Sequence, residues 1–294
     1  MIIRPSAQYK LALRYIKYMN TILLLLALSG HPGQTIVVDI PFEPELEAIT
    51  LAWQSQEIQM APRSNDTGWF ALLGVDLDVA PGPYEVDAVF RYAGDGEDRQ
   101  ERRMLALTVV PKDYPTTRLT VEPKYVELSP ENQQRAAEDK QLINAAYATT
   151  VAQPYWTDDF IVPIPGVTGG RNFGHRRVFN EQPRAPHSGA DLTAAEGTEV
   201  LATNRGRVVL TGDFFFNGKA VFVDHGMGVL SMYLHLSEIL VAEGQLLERG
   251  ELLGLAGATG RVTGPHLHWG IKVTGARVDP FTLPGFVLVS DTKN

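Results

Sequence analysis

Four of the seven histidines in this 294-residue chain stand in three short features that could do chemistry. The first feature is His187-Ser188-Gly189-Ala190-Asp191, the second is Tyr233-Leu234-His235, and the third is His266-Leu267-His268 after Gly264-Pro265. On a strand, side chains two apart share a face, so His266 and His268 project together while Leu267 turns toward a core. Their backbones then lie roughly 6–7 Å apart, a separation that suits one metal ligand beside one base. Spacing alone leaves open which histidine takes which part. His187 and Asp191 would sit roughly 13 Å apart on a straight strand, so Ser188-Gly189 is expected to bend the chain. Two histidines and a carboxylate form a ligand set for catalytic zinc with one position left open, and such zinc lowers the pKa of water to about 7. The chain has no cysteine, so a zinc site here must use imidazole and carboxylate.

The elements that must hold these residues are mainly β. From residue 154 to about 290 the chain is strand-rich and punctuated by glycine, with strands expected at 199–202, 207–211, 220–224, 229–235, 252–256 and 266–273. Residues 33–111 form a second all-β unit. Tyr84, Val86, Ala88 and Phe90 alternate with Glu85, Asp87 and Arg91, and the short, closely spaced strands predict a small β-sandwich. Residues 112–153 link the two. The segment up to Pro130 reads as an irregular connector, and Ser129 with Pro130 starts a helix over about 130–148. Phe214-Phe215-Phe216 before Asn217-Gly218 marks a hairpin tip that either packs its loop or walls a groove. His225 reads as a turn residue, and His175 as exposed or lining a groove.

Residues 1–30 read as a secretory signal. Arg4, Lys10, Arg14 and Lys17 form a basic stretch without acids, followed by the apolar run 22–28 and small residues at Ala27 and Ser29. That run is far shorter than the roughly 20 residues of a membrane span, so no stable span is expected once the signal is removed near Gly30. A retained anchor is the alternative. Such a signal is expected to export the chain from the cytoplasm, and the expected destination is the envelope, in the periplasm. The formal net charge of −8 argues against nucleic acid as the main partner. Composition and patterning leave the oligomeric state unassigned.

Residues 160–280 resemble the M23 family of zinc peptidases, with its lysostaphin-like (LytM-like) antiparallel β fold. The segments that carry the resemblance are Asn172-Phe173-Gly174-His175-Arg176, His187-Ser188-Gly189-Ala190-Asp191-Leu192, Tyr233-Leu234-His235-Leu236 and the run from Gly257 through Gly264-Pro265-His266-Leu267-His268-Trp269. Residues 35–110 resemble, more loosely, the β-sandwich that precedes this domain in some envelope members. The resemblance implies that His187, Asp191 and His268 bind one zinc per chain. It implies that His235 and His266 face the zinc-bound water as base and transition-state stabiliser, and that the substrate is the peptide part of peptidoglycan. Gly270 departs from the family, where many relatives carry an acidic residue. No substrate-binding residue is assigned. One alternative is a non-catalytic relative that activates another wall hydrolase, but such a chain is expected to have lost one of the five positions. Another is a lipoyl-carrier-like domain, for which Lys219 lacks a flanking carrier motif.

Overall fold

The computed structural model describes residues 27–63, 67–93, 99–120, 127–167 and 170–283. The leader expected at 1–30 falls largely on residues 1–26, outside the described residues. Its last residues do have a described place. Leu28–Gly30 forms strand β1, which runs parallel to β8 (Arg99–Val109) with Leu28 opposite Leu107. Leu28 is buried, so β1 lies upstream of the limit of 33 read from the sequence and extends the first sheet.

The N-terminal unit has two sheets over one core. Strands β2 (Thr35–Pro41), β5 (Ala61–Pro62) and β6 (Gly68–Gly74) form the smaller sheet. Strands β3 (Leu46–Trp53), β4 (Gln56–Gln59) and β7 (Gly82–Tyr92) join β1 and β8 in the larger one. Val86, Ala88 and Phe90 of β7 meet Ile49 and Leu51 of β3 and Val38 of β2 in the interior, as the two-residue alternation of β7 requires.

The connector is more ordered than its composition suggested. Thr116–Leu119 forms β9, which pairs in parallel with β10 (Arg176–Phe179); β11 (Gln182–Arg184) completes a three-stranded sheet. Two β-branched threonines suit this edge position, a preference that the surrounding prolines masked. Helix α1 (Pro130–Tyr147) starts where expected: Ser129 accepts from the Asn132 N–H, and Pro130 occupies the first turn. Ile143 and Tyr147 of α1 pack on the main sheet of the C-terminal unit, and Asp139 accepts from the Phe215 N–H at 2.7 Å.

That sheet contains β12 (Gly189–Thr193), β13 (Glu199–Leu201), β14 (Gly206–Phe214), β15 (Gly218–Gly226), β16 (Val229–Ile239), β17 (Leu246–Leu247), β18 (Leu252–Ala256), β19 (His266–Val273) and β20 (Ala276–Val278). Its core side buries Ala190, Leu192, Tyr233, Leu267, Trp269 and Ile271. Leu72 of β6 belongs to this same cluster. The two units therefore share apolar packing. Gly74 lies so near β19 that a Cβ there would meet the Val273 carbonyl oxygen at 2.5 Å. Arg277 reinforces the contact by donating from its backbone N–H and guanidinium to Asp76 at 2.7 and 3.0 Å.

His225 is a core residue rather than a turn residue. It is fully buried, its Nδ1–H donates to the Arg205 carbonyl at 2.8 Å, and Nε2 meets the Ser231 hydroxyl at 2.8 Å. The sequence pointed to Gly226, but the strand continues through both residues. Burial pushes the His225 pKa from the ordinary 6.5 down to about 4. Between those values the unfolded chain binds a proton that the folded chain refuses, so stability falls as pH drops from 6.5 toward 4. At pH 5 the loss from this residue should be about 2 kcal/mol. Denaturant unfolding at pH 7.5 and pH 5, on the wild type and on His225→Gln, isolates it. The variant should lose less stability between the two pH values, and an equal loss in both proteins rules the account out.

Candidate metal centre and active-site groove

The site is assembled by strand register. In the antiparallel pair of β12 and β19, Asp191 stands opposite His268; in the pair of β16 and β19, Leu234 stands opposite His268. Alternation puts Ala190, Leu192, Leu267 and Trp269 on the core side, so Asp191, His266 and His268 face the other way together. His187 lies just before β12 and is tied in by its own backbone, with its N–H donating to the His175 carbonyl and its carbonyl accepting from Gly174. The result brings His187 Nε2 within 2.9 Å of Asp191 Oδ1. Gly189 has a different role from the bend expected of it. A Cβ there would meet His268 Nε2 and the Trp269 carbonyl oxygen, both at 2.6 Å, so glycine is needed for close approach.

His235 reaches the groove by a local irregularity. Tyr233 points into the core, so simple alternation would send His235 the same way. Instead β16 carries one extra residue here: Val221 pairs with Tyr233 and Lys219 with Leu236. His235 takes a left-handed backbone with φ of 67°. A bulge of this kind re-aims a side chain, and the backbone it demands costs roughly 1–3 kcal/mol for a residue other than glycine.

Three ligand atoms converge. His187 Nε2 to His268 Nδ1 is 2.9 Å, His268 Nδ1 to Asp191 Oδ1 is 2.8 Å, and His187 Nε2 to Asp191 Oδ1 is 2.9 Å. Three other contacts fix ring tautomers. His187 Nδ1 lies 3.0 Å from the Asn172 carbonyl, His235 Nδ1 2.9 Å from the Thr259 carbonyl, and His266 Nδ1 2.9 Å from the Gly264 carbonyl. A carbonyl only accepts, so each Nδ1 carries a hydrogen, and Nε2 is the nitrogen that bears the lone pair in the neutral ring. Burial lowers the His187 pKa to about 4; burial first, then the neighbouring His268 and His266, lower that of His235 to about 3. Burial alone would raise the carboxyl pKa of Asp191, but hydrogen bonds with His187 and His268 outweigh it and hold the group well below the carboxylate range. A carboxylate oxygen and two imidazole nitrogens facing one point are poorly satisfied by the protons available, whereas one divalent cation satisfies all three. The donor set, two nitrogens and an oxygen, fits zinc.

Asn172 was quoted in the sequence motif without a role, and the fold gives it one. Its carbonyl fixes His187, its Nδ2 donates to Asp191 Oδ2 at 2.9 Å, and its Oδ1 accepts from the Asp191 N–H at 3.0 Å. It orients two members of the cluster from 15 and 19 residues away. Such buttresses set the affinity of a metal site. The cluster, with His235 and His266, lies in a groove of about 240 Å³. Its walls come from Tyr147 of α1, Arg177 and Phe179 of β10, Phe216 and Asn217 at the β14–β15 hairpin, and Arg261 to Thr263 before β19. Of the aromatic triplet, Phe214 is buried and Phe216 lines the groove. His175 stands apart, bonded to Thr117, and Lys219 gives its ammonium to the Ser237 carbonyl. Tyr147, the tyrosine on the groove wall, was not found from sequence because the helix carrying it is far upstream.

The sequence profile of peptidase family M23 matches residues 185–280, which span Asp191, His235, His266 and His268 and include His187. A crystal structure of a Pseudomonas aeruginosa protein assigned to peptidase M23 is 33% identical, with a TM-score of 0.62 over 86% of this chain and 93% of that one. The chain belongs to peptidase family M23. Among curated relatives, the peptidoglycan DD-endopeptidase ShyA of Vibrio cholerae is 45% identical over 109 residues, 37% of this chain and 25% of ShyA. The DD-carboxypeptidase/endopeptidase Mpg of Neisseria meningitidis is 40% identical over 97 residues, 33% of this chain and 22% of Mpg. The chain thus spans about a quarter of the length of these curated relatives. The likeness to the P. aeruginosa structure extends further and takes in most of the N-terminal half.

Proposed function

We propose that this M23 member is a zinc-dependent endopeptidase that hydrolyses peptide bonds in bacterial peptidoglycan. The observation that carries the proposal is the convergence of His187, Asp191 and His268 beside two further histidines, His235 and His266, that line the same groove. The first three hold one zinc per chain. Zinc, when bound, supplies Lewis acidity, lowering the pKa of water and polarising a carbonyl. His235 and His266 handle protons: each has Nδ1 committed to a backbone carbonyl, which leaves Nε2 as the nitrogen that can accept a proton from water and return it to the leaving amine. Burial keeps His235 neutral at physiological pH, so its lone pair is available. Asn172 and the bulge at His235 hold these groups in position, which is where much of the rate advantage of such sites arises. Peptidoglycan as the substrate rests on the names of the relatives, ShyA and Mpg. Export to the periplasm behind an N-terminal signal belongs to the same proposal, with the signal ending before Leu28, because Leu28–Gly30 is strand β1 of the folded sheet. No helix among the described residues is long and apolar enough to cross a membrane.

A non-catalytic, regulatory reading requires one of the five positions to have been lost, and all five are filled. Purified full-length chain, incubated with wall sacculi, should release muropeptide fragments whose masses identify the bond cut. Chelation should reduce release to background, and added zinc should restore it. Intact sacculi after digestion with zinc-loaded protein, or release that is indifferent to chelation, would refute the proposal.

A further inference from the structure

His235 holds a backbone that its residue type disfavours. Its φ of 67° lies in the left-handed region, at the bulge where β16 carries one residue more than β15. Such a conformation persists only where neighbouring groups over-determine it. Three contacts do so here. The His235 N–H donates to the Asn217 carbonyl at 2.9 Å, and the ring Nδ1–H donates to the Thr259 carbonyl at 2.9 Å. The third contact falls on the next residue, where the Thr259 hydroxyl donates to the Leu236 carbonyl at 2.8 Å. Thr259 supplies two of the three. We propose that Thr259 is the positioning residue for His235, fixing its backbone through the hydroxyl and its ring through the carbonyl. This inference rests on the hydrolase reading given above and adds the residue that holds one of its proton carriers.

A hydroxyl is needed because a bulge disrupts the ladder between its strands. Lys219 of β15 stands opposite Leu236 where the bulge ends. The Thr259 hydroxyl joins the two, accepting from the Lys219 N–H at 2.9 Å and donating to the Leu236 carbonyl. Only a group that is donor and acceptor at once can link an N–H to a carbonyl, and a hydroxyl does so with a single atom. The approach is close. Gly218 has a left-handed backbone with φ of 60°, and a Cβ on it would strike the hydroxyl and carbonyl of Thr259. A Cβ on Gly260 would strike the Gly218 nitrogen in turn. Two glycines therefore let the Thr259 segment lie directly on the hairpin tip and the bulge. Thr259 is half-buried and is not among the described residues that line the groove. A change to its side chain alters no wall that the substrate meets, so its effect on the chemistry passes through His235.

The test compares Thr259→Val, which keeps the branched shape and removes the hydroxyl, with Thr259→Ser, which keeps the hydroxyl. Both are assayed as zinc-loaded full chain on a soluble peptide fragment of the wall, after zinc content has been matched. Thr259→Val should lose about tenfold to a hundredfold in kcat, the cost of a misplaced catalytic group, with KM little changed. Thr259→Ser should recover most of that loss. The same valine placed in His235→Asn should cost little more, because the side chain through which it acts is already gone. An unaltered kcat in Thr259→Val, a Thr259→Ser as slow as Thr259→Val, or an equal loss in the His235→Asn background overturns the assignment and leaves the hydrolase reading standing. Nitrogen-15 NMR of the imidazoles gives a readout that needs no turnover. His235 should carry its hydrogen on Nδ1 in the wild type and in Thr259→Ser, and should lose that preference in Thr259→Val. The same Nδ1–H form in all three proteins overturns the assignment as well. If the wild type cuts neither fragment nor sacculi, the hydrolase reading fails, and the NMR comparison then decides the positioning role by itself. Should Thr259→Val fail to fold, Thr259→Ala removes the hydroxyl with less bulk and is held to the same outcomes.

Discussion

Replacing Asp191 with Ala should empty the metal site, taking zinc from about one per chain to near zero and abolishing hydrolysis. Asp191 Oδ1 contacts both imidazole ligands, and Oδ2 is held by Asn172 and Arg177. Without it, two buried nitrogens 2.9 Å apart face each other with no anion to offset a divalent charge. A two-nitrogen site lacks the ligand count that holds zinc. Asn172→Ala should be milder. The ligands remain, but two lose their orientation, and affinity should fall about tenfold to a hundredfold, as for other groups that support ligands. Elemental analysis after gel filtration, together with competition against a chelator, checks both. Stoichiometric zinc in Asp191→Ala would remove the carboxylate from the ligand set.

His235→Ala and His266→Ala should keep their zinc and lose about 10²–10⁴ in rate, the usual cost of removing a proton-transfer group. Neither ring belongs to the tight cluster: His266 Nε2 is 3.7 Å from Asp191 Oδ1, against 2.8 Å for His268 Nδ1. His235 needs a control because its backbone is left-handed, with φ of 67°. Alanine is strained there, whereas asparagine tolerates that conformation, so His235→Asn separates a lost base from a disturbed bulge. Both His235 variants should be slow, with Asn unfolding closer to the wild type. Zinc loss in His266→Ala, with retention in His268→Ala, would show that the two residues have exchanged roles. Full activity in His235→Asn would exclude His235 from the chemistry.

Much of this site was legible in the sequence because its chemistry is concentrated in short spacings. The two-residue period of a strand is a local property of the backbone, so His266 and His268 could be placed on one face, with Leu267 in the core, before any fold was known. The start of α1 was equally local: Ser129 and Pro130 satisfy the free N–H groups of a first turn wherever the helix lies. Other features were misread for the same reason. Gly226 beside His225 suggested a turn, but the strand runs through both residues and closes its hairpin only after them, with Gly226 opposite Val229; the prolines around Thr116 suggested an irregular connector, but pairing with the distant β10 made a strand of it.

By itself, the sequence determined the residue types able to bind zinc and move protons, the faces they share within one strand, the absence of thiolate ligands and the β-rich character of both halves. The tertiary structure alone decided which of these residues meet. The register of β12 on β19 brings Asp191 to His268 across 77 residues, the bulge in β16 turns His235 from core to groove, and Asn172 clamps His187 and Asp191 from another segment. It also placed Tyr147, Arg177 and Arg261 on the groove walls and joined the two halves through Leu72 and Gly74. The division has one physical cause. Backbone geometry repeats over a few residues and leaves its period in the sequence, whereas register between distant strands is set by the packing of a whole core, to which no single motif corresponds.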